Sequence, residues 1–435
     1  MPEDVLVIGA GWAGLAAAVA LSAKGIPVHL IEAAPQAGGR ARAAGQGPRQ
    51  ADNGQHLLLG AYTAILGLQK LIGLDEKTLY ERRPLSLTVY RDGSPPMGLA
   101  LPRLPSPLHL AAGLLQARGL RWRERIEALL HAGVLTRIPA VDLSVSDFLA
   151  ASGQPETLIR ELWAPLCLAA MNTPPETASA QVFARVLRET FLAPRRYSDL
   201  LLPRVDLSAL LPLPALAYLQ ERGARISFKT RVQRLIVGDT GIEGVETRDG
   251  PLAASRVVLA TDTVAAARLL AGHPQTAALG EGLVRLGAEP ICTVYLQFPP
   301  QCRLPTPMMG FSGTTLQWLF DRRLTDAPGL FAAVISGPGE HMLWDAGTLL
   351  ERIADEIRRF LPDLPEPEDG WVIREKRATF HCGVGSETDR PGNRTPLDGL
   401  WLAGDYTRTG LPATLEGAVR SGLECARAMT KQLTI

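Results

Sequence analysis

The chain has 435 residues, a length that is too great for one ordinary core and predicts two domains. Hydrophobic residues make up 46% of it, enough for sizeable buried cores. Its 45 Lys and Arg residues nearly balance 44 Asp and Glu residues, and the net charge of +1 argues against a nucleic-acid-binding protein, which would usually be strongly basic. The five cysteines include no CxxC pair and the seven histidines no HxxxH or HExxH pattern, so we expect free thiols, a reducing compartment and no metal site.

The first predicted elements lie in DVLVIGAGWAGLAAAVALSAKGIPVHLIEAA, which has the pattern strand, turn, helix, strand. Val5–Ile8 is a short buried strand, GAGWAG is a tight turn, and Leu15 to Ala23 is rich in the helix formers Ala and Leu. The uncharged run from Val5 to Ala23 is as long as a membrane span, but glycines interrupt it and the acidic start MPED is wrong for a signal peptide. We therefore expect no transmembrane helix and a cytoplasmic protein.

The middle of the chain, from about Leu79 to Leu219, is rich in Leu, Ala and Pro and contains helical stretches such as SAQVFARVLRETFL. Strand character returns in ARISFKTRVQRLIV and RVVLAT, and an amphipathic helix is predicted within HMLWDAGTLLERIADEIRRFLP. The chain ends on a strand, a loop and a terminal helix in LWLAGDYTRTGLPATLEGAVRSG.

Signals for a nucleotide-binding domain thus occur at the start, near residues 230–260 and at the end. The pattern predicts an α/β fold with a discontinuous Rossmann-type domain and an inserted, largely helical α+β substrate domain. The predicted boundaries are 1–78, 223–275 and 371–435 for the nucleotide-binding domain, and 79–222 and 276–370 for the substrate domain.

The first motif is Gly9-x-Gly11-x-x-Gly14, in which the glycines permit a tight turn, close approach of a pyrophosphate and close packing of helix on strand. Glu32 lies at the end of the second strand, where a carboxylate can bind both ribose hydroxyls. This motif alone leaves both NAD(P) and FAD open. The candidate cofactor residues of the turn are Gly9, Gly11, Trp12, Ala13 and Gly14.

Two further motifs favour FAD. Gly38, Gly39 and Arg40, in GGRAR, suit a second contact on the phosphate side of an extended dinucleotide. Near the end of the chain, Gly404 and Asp405 follow a buried strand, and Asp405 suits a ribityl or pyrophosphate-side hydroxyl. A helix then begins near Thr414, Leu415 and Glu416, where its N-terminus suits the pyrimidine end of a flavin. No second GxGxxG occurs, which argues for bound FAD without a separate NAD(P)H domain.

These stretches resemble the FAD-dependent amine oxidase and phytoene desaturase superfamily. Within it, DNGQHLLLGAY, WAPLCLAAMNTPPETASAQVFARVLRE and GDYTRTGLPATLEGAVRSG are similar to the squalene-associated FAD-dependent desaturases, understood as hydroxysqualene dehydroxylases of bacterial squalene and hopanoid biosynthesis. The resemblance spans most of the chain. It implies that Val232 meets the adenine through its backbone, and that Gln55 and His56 pass the isoalloxazine ring.

The resemblance also implies a reaction, the reductive removal of the allylic hydroxyl of a C30 isoprenoid by reduced flavin. The flavin must in turn be reduced by an electron donor that the sequence does not name. The leaving hydroxyl needs an acid, for which His56 is the candidate because histidine titrates near neutral pH, and Tyr406 is a second. The alternative is that His56 only orders its loop or contacts the cofactor.

An oily substrate raises the question of membrane contact. The region Leu99–Glu127 joins a Leu-rich helix to Trp122 and several arginines, a combination that suits peripheral contact with the anionic inner face of the cell membrane as one of two interpretations. The alternative is an ordinary amphipathic helix with a solvated basic end. The arginines concerned are Arg118, Arg121, Arg123 and Arg125.

Other functions remain open at this point. A flavin amine oxidase typically carries a mid-chain lysine near the flavin, and no lysine occurs between Lys229 and Lys376. A carotenoid desaturase would share the apolar channel. A protein of another class, a non-catalytic flavoprotein partner of a prenyl-transferase complex, is disfavoured by cofactor motifs at both ends of the chain.

Overall fold

The computed structural model describes residues 4–45, 49 and 51–433, so the acidic start at residues 1–3 lies outside the described part of the chain. The strands are β1 (Val5–Ile8), β2 (Val28–Ile31), β3 (Ala43–Ala44), β4 (Ala51–Asp52), β5 (Leu58–Leu59), β6 (Tyr80–Arg83), β7 (Ser86–Arg91), β8 (Ser94–Ala100), β9 (Leu200–Pro203), β10 (Arg225–Ser227), β11 (Val232–Val237), β12 (Ile242–Thr247), β13 (Gly250–Ala253), β14 (Val257–Leu259), β15 (Glu289–Gln297), β16 (Met308–Phe311), β17 (Trp318–Asp321), β18 (Leu330–Ser336), β19 (Asp369–Thr379) and β20 (Leu400–Leu402). The helices are α1 (Trp12–Ser22), α2 (Thr63–Leu71), α3 (Glu76–Leu79), α4 (Leu108–Leu115), α5 (Trp122–His131), α6 (Val145–Ala151), α7 (Glu156–Leu158), α8 (Ala164–Met171), α9 (Ala180–Phe191), α10 (Leu207–Leu210), α11 (Pro212–Glu221), α12 (Thr263–Leu270), α13 (Pro274–Arg285), α14 (Ala346–Phe360) and α15 (Leu415–Leu433).

A five-stranded parallel sheet in the order β10-β2-β1-β14-β20 forms the nucleotide-binding side of the molecule. Its three middle strands are short apolar runs that are almost entirely buried, as expected of a parallel sheet covered on both faces. The sheet takes its strands from the start of the chain, from residues 225–259 and from residues 400–402. The α/β fold class is therefore confirmed, while the exact domain boundaries stay a prediction.

Helix α1 begins at Trp12, inside the glycine motif and three residues before the predicted helix start at Leu15. Gly11 is extended and serves as the N-cap, so the helix includes the second half of the motif. Helix α15 packs along α1, and a Cβ at Gly422 would overlap the carbonyl oxygen of Ala13. The first and last helices of the chain are thus in direct contact beside the sheet.

A seven-stranded sheet in the order β19-β15-β18-β17-β16-β7-β8 faces the other side of the central cavity. All its neighbours are antiparallel except β16 and β7. Strands β7 and β8 come from the section that was expected to be mainly helical. Strand β8 begins with Ser94-Pro95-Pro96. Prolines ordinarily argue against a strand because they cannot donate a backbone hydrogen bond, but they are tolerated at the edge of a sheet, which is where β8 lies.

Helices α4 to α9 form the helical section of the chain between β8 and β9, with α4 packed against β8 and with residues of α8 and α9 lining the central cavity. Helices α7 and α8 are joined by one stretch of π-helix, Ile159–Trp163, so the chain from residue 156 to residue 171 is nearly continuous helix. The predicted Leu-rich helix within Leu99–Glu127 is instead the end of β8 followed by two helices, α4 and α5. No helix among the described residues has the length and apolar character needed to cross a membrane.

Candidate active site

One cavity of ≈ 650 Å³ runs between the carboxyl ends of the parallel strands and the seven-stranded sheet. This volume and position are typical of ligand sites in open α/β folds, which bind at the carboxyl edge of the sheet. The glycine turn lies at one end, and an apolar wall lies at the other. The cavity therefore joins a polar nucleotide-like compartment to a hydrophobic one.

The glycine turn closes the first end of the cavity. Gly9 has φ +107°, and a Cβ there would overlap the backbone of Ala260. A Cβ at Gly14 would overlap the carbonyl oxygen of Gly9, whereas a Cβ at Gly11 would meet no described atom within 4 Å. Gly11 lines the cavity, so the open space beside it is room for a ligand, and the free N–H groups of the α1 start suit a phosphate.

Glu32 lies directly after β2 and lines the same compartment. Its carboxylate accepts hydrogen bonds of 2.7 Å from the backbone N–H groups of Ala10 and Ala34. These bonds hold the side chain beside the glycine turn. Val232, the first residue of β11, also lines the cavity, so the compartment extends beyond the glycine turn to β11.

Arg40 and Asp405 form a salt bridge at the middle of the compartment. Nη2 of Arg40 lies 2.8 Å from both carboxylate oxygens of Asp405, and Nη1 donates to Ala378 O at 2.8 Å. Gly38, Gly39 and Gly404 also line this section. The two motifs that were each expected to contact a dinucleotide thus contact one another as well.

Gln55 and His56 lie in the cavity wall beyond the glycine turn. His56 Nδ1 is 2.9 Å from Gly54 O, so Nδ1 carries a proton and Nε2 is unprotonated in the neutral ring. Burial lowers the pKa of His56, and the Gly54 hydrogen bond only partly offsets this effect. Burial therefore favours the neutral form of the ring. Leu57 and Leu59 line the cavity, while Leu58 points into the core, as the alternation of a strand requires.

Behind Gln55 lies a buried ion pair that the sequence did not reveal. Arg322 Nη2 lies 2.7 Å from Asp52 Oδ2, and Arg322 Nη1 hydrogen-bonds to Gln55 Oε1. Asp52 also accepts from Leu207 N at 2.8 Å, and its carbonyl accepts from the Tyr295 hydroxyl at 2.7 Å. Asp52 and Arg322 are separated by 270 positions, and no local pattern marks either as half of a pair.

The start of α15 closes the middle of the cavity, and Thr414, Leu415 and Glu416 line it. The Glu416 carboxylate accepts from Ala64 N and Ile65 N at 3.0 and 3.1 Å, which caps the first turn of α2. Burial raises the pKa of Glu416, while these N–H donors and Arg420 act in the opposite direction. Glu416 therefore joins two helices at the cavity.

Fifteen of the sixteen predicted cofactor residues line the cavity, and Gly14 does not. Gly14 lies behind the turn, where the lack of a Cβ lets α1 approach Gly9. Tyr406 is likewise not among the lining residues. Its side chain is fully buried and its hydroxyl is 3.4 Å from Leu259 O, so it is wrongly placed to act as an acid in the cavity.

The far end of the cavity is almost entirely apolar. It is formed by α8, α9 and the inner face of the seven-stranded sheet. Side chains of this wall include Leu85, Leu87, Leu162, Trp163, Leu166, Ala170, Leu187, Phe191, Met308, Trp318, Phe320 and Val334. Such a wall suits a hydrocarbon ligand, which gains stabilisation in proportion to the apolar surface it buries.

The fold, the glycine turn and the two-part cavity are those of a flavin-dependent oxidoreductase. Residues 12–430 match the model of the family described as "flavin containing amine oxidoreductase", and the chain belongs to this family. Its relatives include the hydroxysqualene dehydroxylase of Rhodopseudomonas palustris, 34% identical over 98% of both chains, and that of Sinorhizobium fredii, 31% identical over 98% of both. The family resemblance drawn from the sequence is thus confirmed. The 15-cis-phytoene desaturase of Glycine max is 24% identical over 99% of this chain and 80% of its own.

Solved structures agree on the fold. An oxidoreductase from Methanosarcina mazei superposes with a TM-score of 0.76 at 16% identity, covering 98% of this chain and 100% of that one. Cyclohexylamine oxidase from Brevibacterium oxydans gives 0.70 at 18% identity and covers all of both chains. At these identities the likeness extends to the fold alone.

Proposed function

We propose that this chain is an FAD-dependent hydroxysqualene dehydroxylase, which replaces the allylic hydroxyl of hydroxysqualene by hydrogen and so forms squalene in bacterial squalene and hopanoid biosynthesis. The observation that carries the proposal is the single cavity that joins a nucleotide compartment to a long apolar wall. The family, together with relatives of that name over nearly the full length, supports it.

FAD is the flavin we assign, because the compartment continues past the glycine turn to Glu32 and Val232, which leaves room for an adenosine. The α1 start and Gly39 would hold the pyrophosphate, Glu32 the ribose, and the α15 start the ring. When bound and reduced, the flavin supplies a hydride to carbon. Heating the purified protein and identifying the released cofactor distinguishes FAD from FMN, and FMN would contradict this assignment.

The chain must also hold a C30 substrate and help its hydroxyl to leave. The apolar wall binds the hydrocarbon and excludes water from the reacting carbon, while polar atoms of Gln55 and His56 lie at the junction of the two compartments. The reaction consumes one hydride and one proton and releases water. A proton donor near the junction is therefore required.

His56 is our candidate for that donor. Burial lowers its pKa, which disfavours the protonated ring but makes that ring a stronger acid than an ordinary histidine. An acid role predicts that turnover rises as the pH falls from about 8 to 6. His56→Ala should abolish turnover while flavin content stays normal, and near-normal turnover in this variant would restrict His56 to ordering its loop.

An anaerobic experiment tests the reaction. The purified protein is reduced, and hydroxysqualene, phytoene or a primary amine is added separately while flavin absorbance and products are followed. Flavin reoxidation with formation of squalene only in the first sample is the expected result. Reduction of oxidised flavin by phytoene would instead indicate a desaturase, and no response to hydroxysqualene in any redox state would refute the main proposal.

The physiological electron donor is proposed to be a separate molecule, because the sequence contains one glycine-rich dinucleotide turn. The C30 isoprenoid is the proposed small-molecule partner, and we propose no nucleic-acid partner. A supply of NADH, NADPH or reduced ferredoxin to the anaerobic protein identifies the class of donor by the rate of flavin bleaching.

We also propose peripheral contact with a membrane, through an apolar corner beside the cavity. Leu104, Leu108 and Leu192 are 41%, 58% and 47% exposed. Ser106 lies between the first two and donates a 2.8 Å hydrogen bond to the carbonyl of Phe191, which itself lines the apolar wall. A membrane docked on this corner would lie next to the compartment that receives the hydrocarbon.

The charges around this corner suit an anionic surface, since Arg103, Arg121 and Arg123 are exposed in the same region. Arg125, in contrast, is half-buried and donates to the carbonyls of Leu115 and Leu120, so it holds α4 to α5. We therefore leave Arg125 out of the proposed membrane contact.

Flotation with phosphatidylglycerol vesicles tests the contact. Changing Leu104, Leu108 and Leu192 together to Ser should release the protein, while the control Leu343→Ser, at an 87% exposed position elsewhere, should not. Equal flotation of both proteins, or binding to neutral vesicles alone, would contradict the proposal.

A further inference from the structure

The buried Arg322 is placed to determine how Gln55 presents its side chain to the cavity. Arg322 is only 5% exposed and lies in the short 3-10 turn Arg322–Thr325, between β17 and β18. Its two terminal nitrogens reach two different side chains, Asp52 at the end of β4 through Nη2 and Gln55 in the loop that follows through Nη1. A planar fork with several fixed donors can hold two partners at once, which a point-like ammonium cannot do.

This contact fixes the orientation of the Gln55 amide. Because the arginine can only donate, the Gln55 atom that faces it must be the carbonyl oxygen, and the amide nitrogen must point the other way. One N–H of that nitrogen is directed at His56 O, 3.3 Å away. The amide has a second N–H, and Gln55 is part of the cavity wall.

The Gln55 amide matters for the chemistry because it lies beside His56 in the cavity wall. His56 is beside Gln55 and, as a neutral ring with its proton on Nδ1, offers an acceptor rather than a donor. The reacting hydroxyl becomes electron-rich as its bond to carbon breaks, so a fixed N–H donor aimed at it stabilises the transition state more than the ground state. Of the two side chains, the Gln55 amide is the one that remains a donor whether or not the His56 ring is protonated.

We propose that Arg322 is a positioning residue that locks the Gln55 amide with its N–H toward the departing hydroxyl oxygen of the substrate. The role rests on the proposed dehydroxylase function. The anchor is rigid on both sides, since Asp52 is also held by Leu207 N and by its own carbonyl bond to Tyr295, a fully buried residue of β15. Arg322 thereby ties the nucleotide-side loop to the substrate-side sheet.

Arg322→Lys is the sharpest variant. A lysine keeps the positive charge beside Asp52, so the buried carboxylate is not left unpaired, but it cannot also hold Gln55. We expect kcat for hydroxysqualene to fall about 100- to 1,000-fold, the range for loss of one oriented donor, with flavin content and absorbance maxima unchanged. Gln55→Leu removes the donor directly, leaves the Arg322–Asp52 pair intact and should give a similar loss. Arg323→Lys is the control, because Arg323 donates to the carbonyls of Pro300 and Cys302 away from the cavity.

Equilibrium binding gives a second readout that does not depend on turnover. The oxidised protein is titrated with hydroxysqualene and with squalene, which lacks the hydroxyl. Wild type and Arg323→Lys should bind the alcohol more tightly than the hydrocarbon, and Arg322→Lys and Gln55→Leu should lose that preference. Unchanged kcat and unchanged preference in both variants would overturn the role.

Two other outcomes are also decisive. A shift of the flavin absorbance maxima in Gln55→Leu would mean that the amide donates to the flavin instead of the substrate, which overturns the proposal as stated. If the wild type neither binds nor reduces hydroxysqualene, the proposed function fails and the positioning role falls with it. Normal wild-type turnover with unaffected variants would overturn the positioning role alone.

Discussion

Arg40 and Asp405 are 365 positions apart in the sequence, and one guanidinium nitrogen of Arg40 lies 2.8 Å from both carboxylate oxygens of Asp405. Asp405 is almost completely buried, whereas the Arg40 side chain is 34% exposed. The pair joins the loop after β2 to the loop after β20, and both loops line the cavity. One salt bridge therefore joins two segments of the cavity wall that are far apart in the sequence.

Replacing Arg40 by Met should destabilise the protein, because it leaves the Asp405 carboxylate buried without its partner. We expect a loss of about 2 kcal/mol in the free energy of unfolding, between the values for buried and for exposed pairs. Urea unfolding at saturating FAD measures it. The matched control is Arg49→Met, which breaks the exposed Arg49–Asp369 pair and should lower the free energy of unfolding much less. Equal effects of the two changes would mean that Arg40 acts only as a surface charge.

Two variants of the glycine turn distinguish its role in folding from its role in cofactor binding. Gly14→Ala should prevent proper folding, since the added Cβ overlaps the carbonyl of Gly9. Gly11→Ala should fold with a normal melting temperature but purify with little flavin, because its Cβ has space only in the cavity. The flavin-to-protein absorbance ratio and thermal unfolding distinguish the two. A yellow, fully loaded Gly11→Ala protein would show that no phosphate approaches this position.

The apolar wall can be narrowed without touching the nucleotide compartment. Ala170 on α8 lines the wall, so Ala170→Phe should reduce kcat/KM for hydroxysqualene at least about 10-fold by filling space that the hydrocarbon needs. Flavin content should be normal. Ala140→Phe, at an exposed position that does not line the cavity, is the control and should leave both values unchanged. Undiminished activity of Ala170→Phe would place the hydrocarbon elsewhere.

Acid should weaken the fold through buried histidines. Burial lowers the pKa values of His29, His56, His109 and His341, so these rings take up protons on unfolding when the pH falls below about 6.5. The unfolded state then binds more protons than the folded state, and the free energy of unfolding decreases as the pH falls from 7.5 to 5.5.

His109 offers a direct test of this pH dependence. It is fully buried, and neither ring nitrogen hydrogen-bonds within residues 4–45, 49 and 51–433. His109→Leu should raise the free energy of unfolding by about 1–3 kcal/mol, with the larger gain at low pH, because an unsatisfied polar group leaves the core. Urea titrations at pH 5.5, 6.5 and 7.5 measure the slope. An identical slope in both proteins would contradict the prediction.

Local sequence patterns were sufficient to predict the nucleotide side of the molecule. The glycines from Gly9 to Gly14 are required by a tight turn and by close packing of helix on strand. The position of Glu32 follows from the length of the first strand-helix-strand unit, so both features could be predicted from short-range patterns. The helix boundary at Trp12 differs from the predicted Leu15 because the motif itself supplies the N-cap.

The substrate side could not be predicted to the same degree. Arg322 is one of many arginines in the chain, and its importance arises only when β17 and β18 bring it to a loop 270 positions earlier. Glu416 was expected near the flavin because it begins α15, yet its carboxylate caps α2, a contact across 352 positions. Side-chain partners at such separations depend on the tertiary fold, which local periodicity does not encode.

The order of strands in the parallel sheet affects how the chain can fold during its synthesis. Strands β1, β2 and β14 are available once residue 259 has emerged from the ribosome, but β20 and Asp405 are made only from residue 400 onward. Until then β14 is an open sheet edge and Arg40 lacks its partner, so the flavin compartment is incomplete. We therefore expect the flavin to bind only after β20 has been made, and the unpaired β14 edge of the nascent chain to be the part most exposed to incorrect strand pairing.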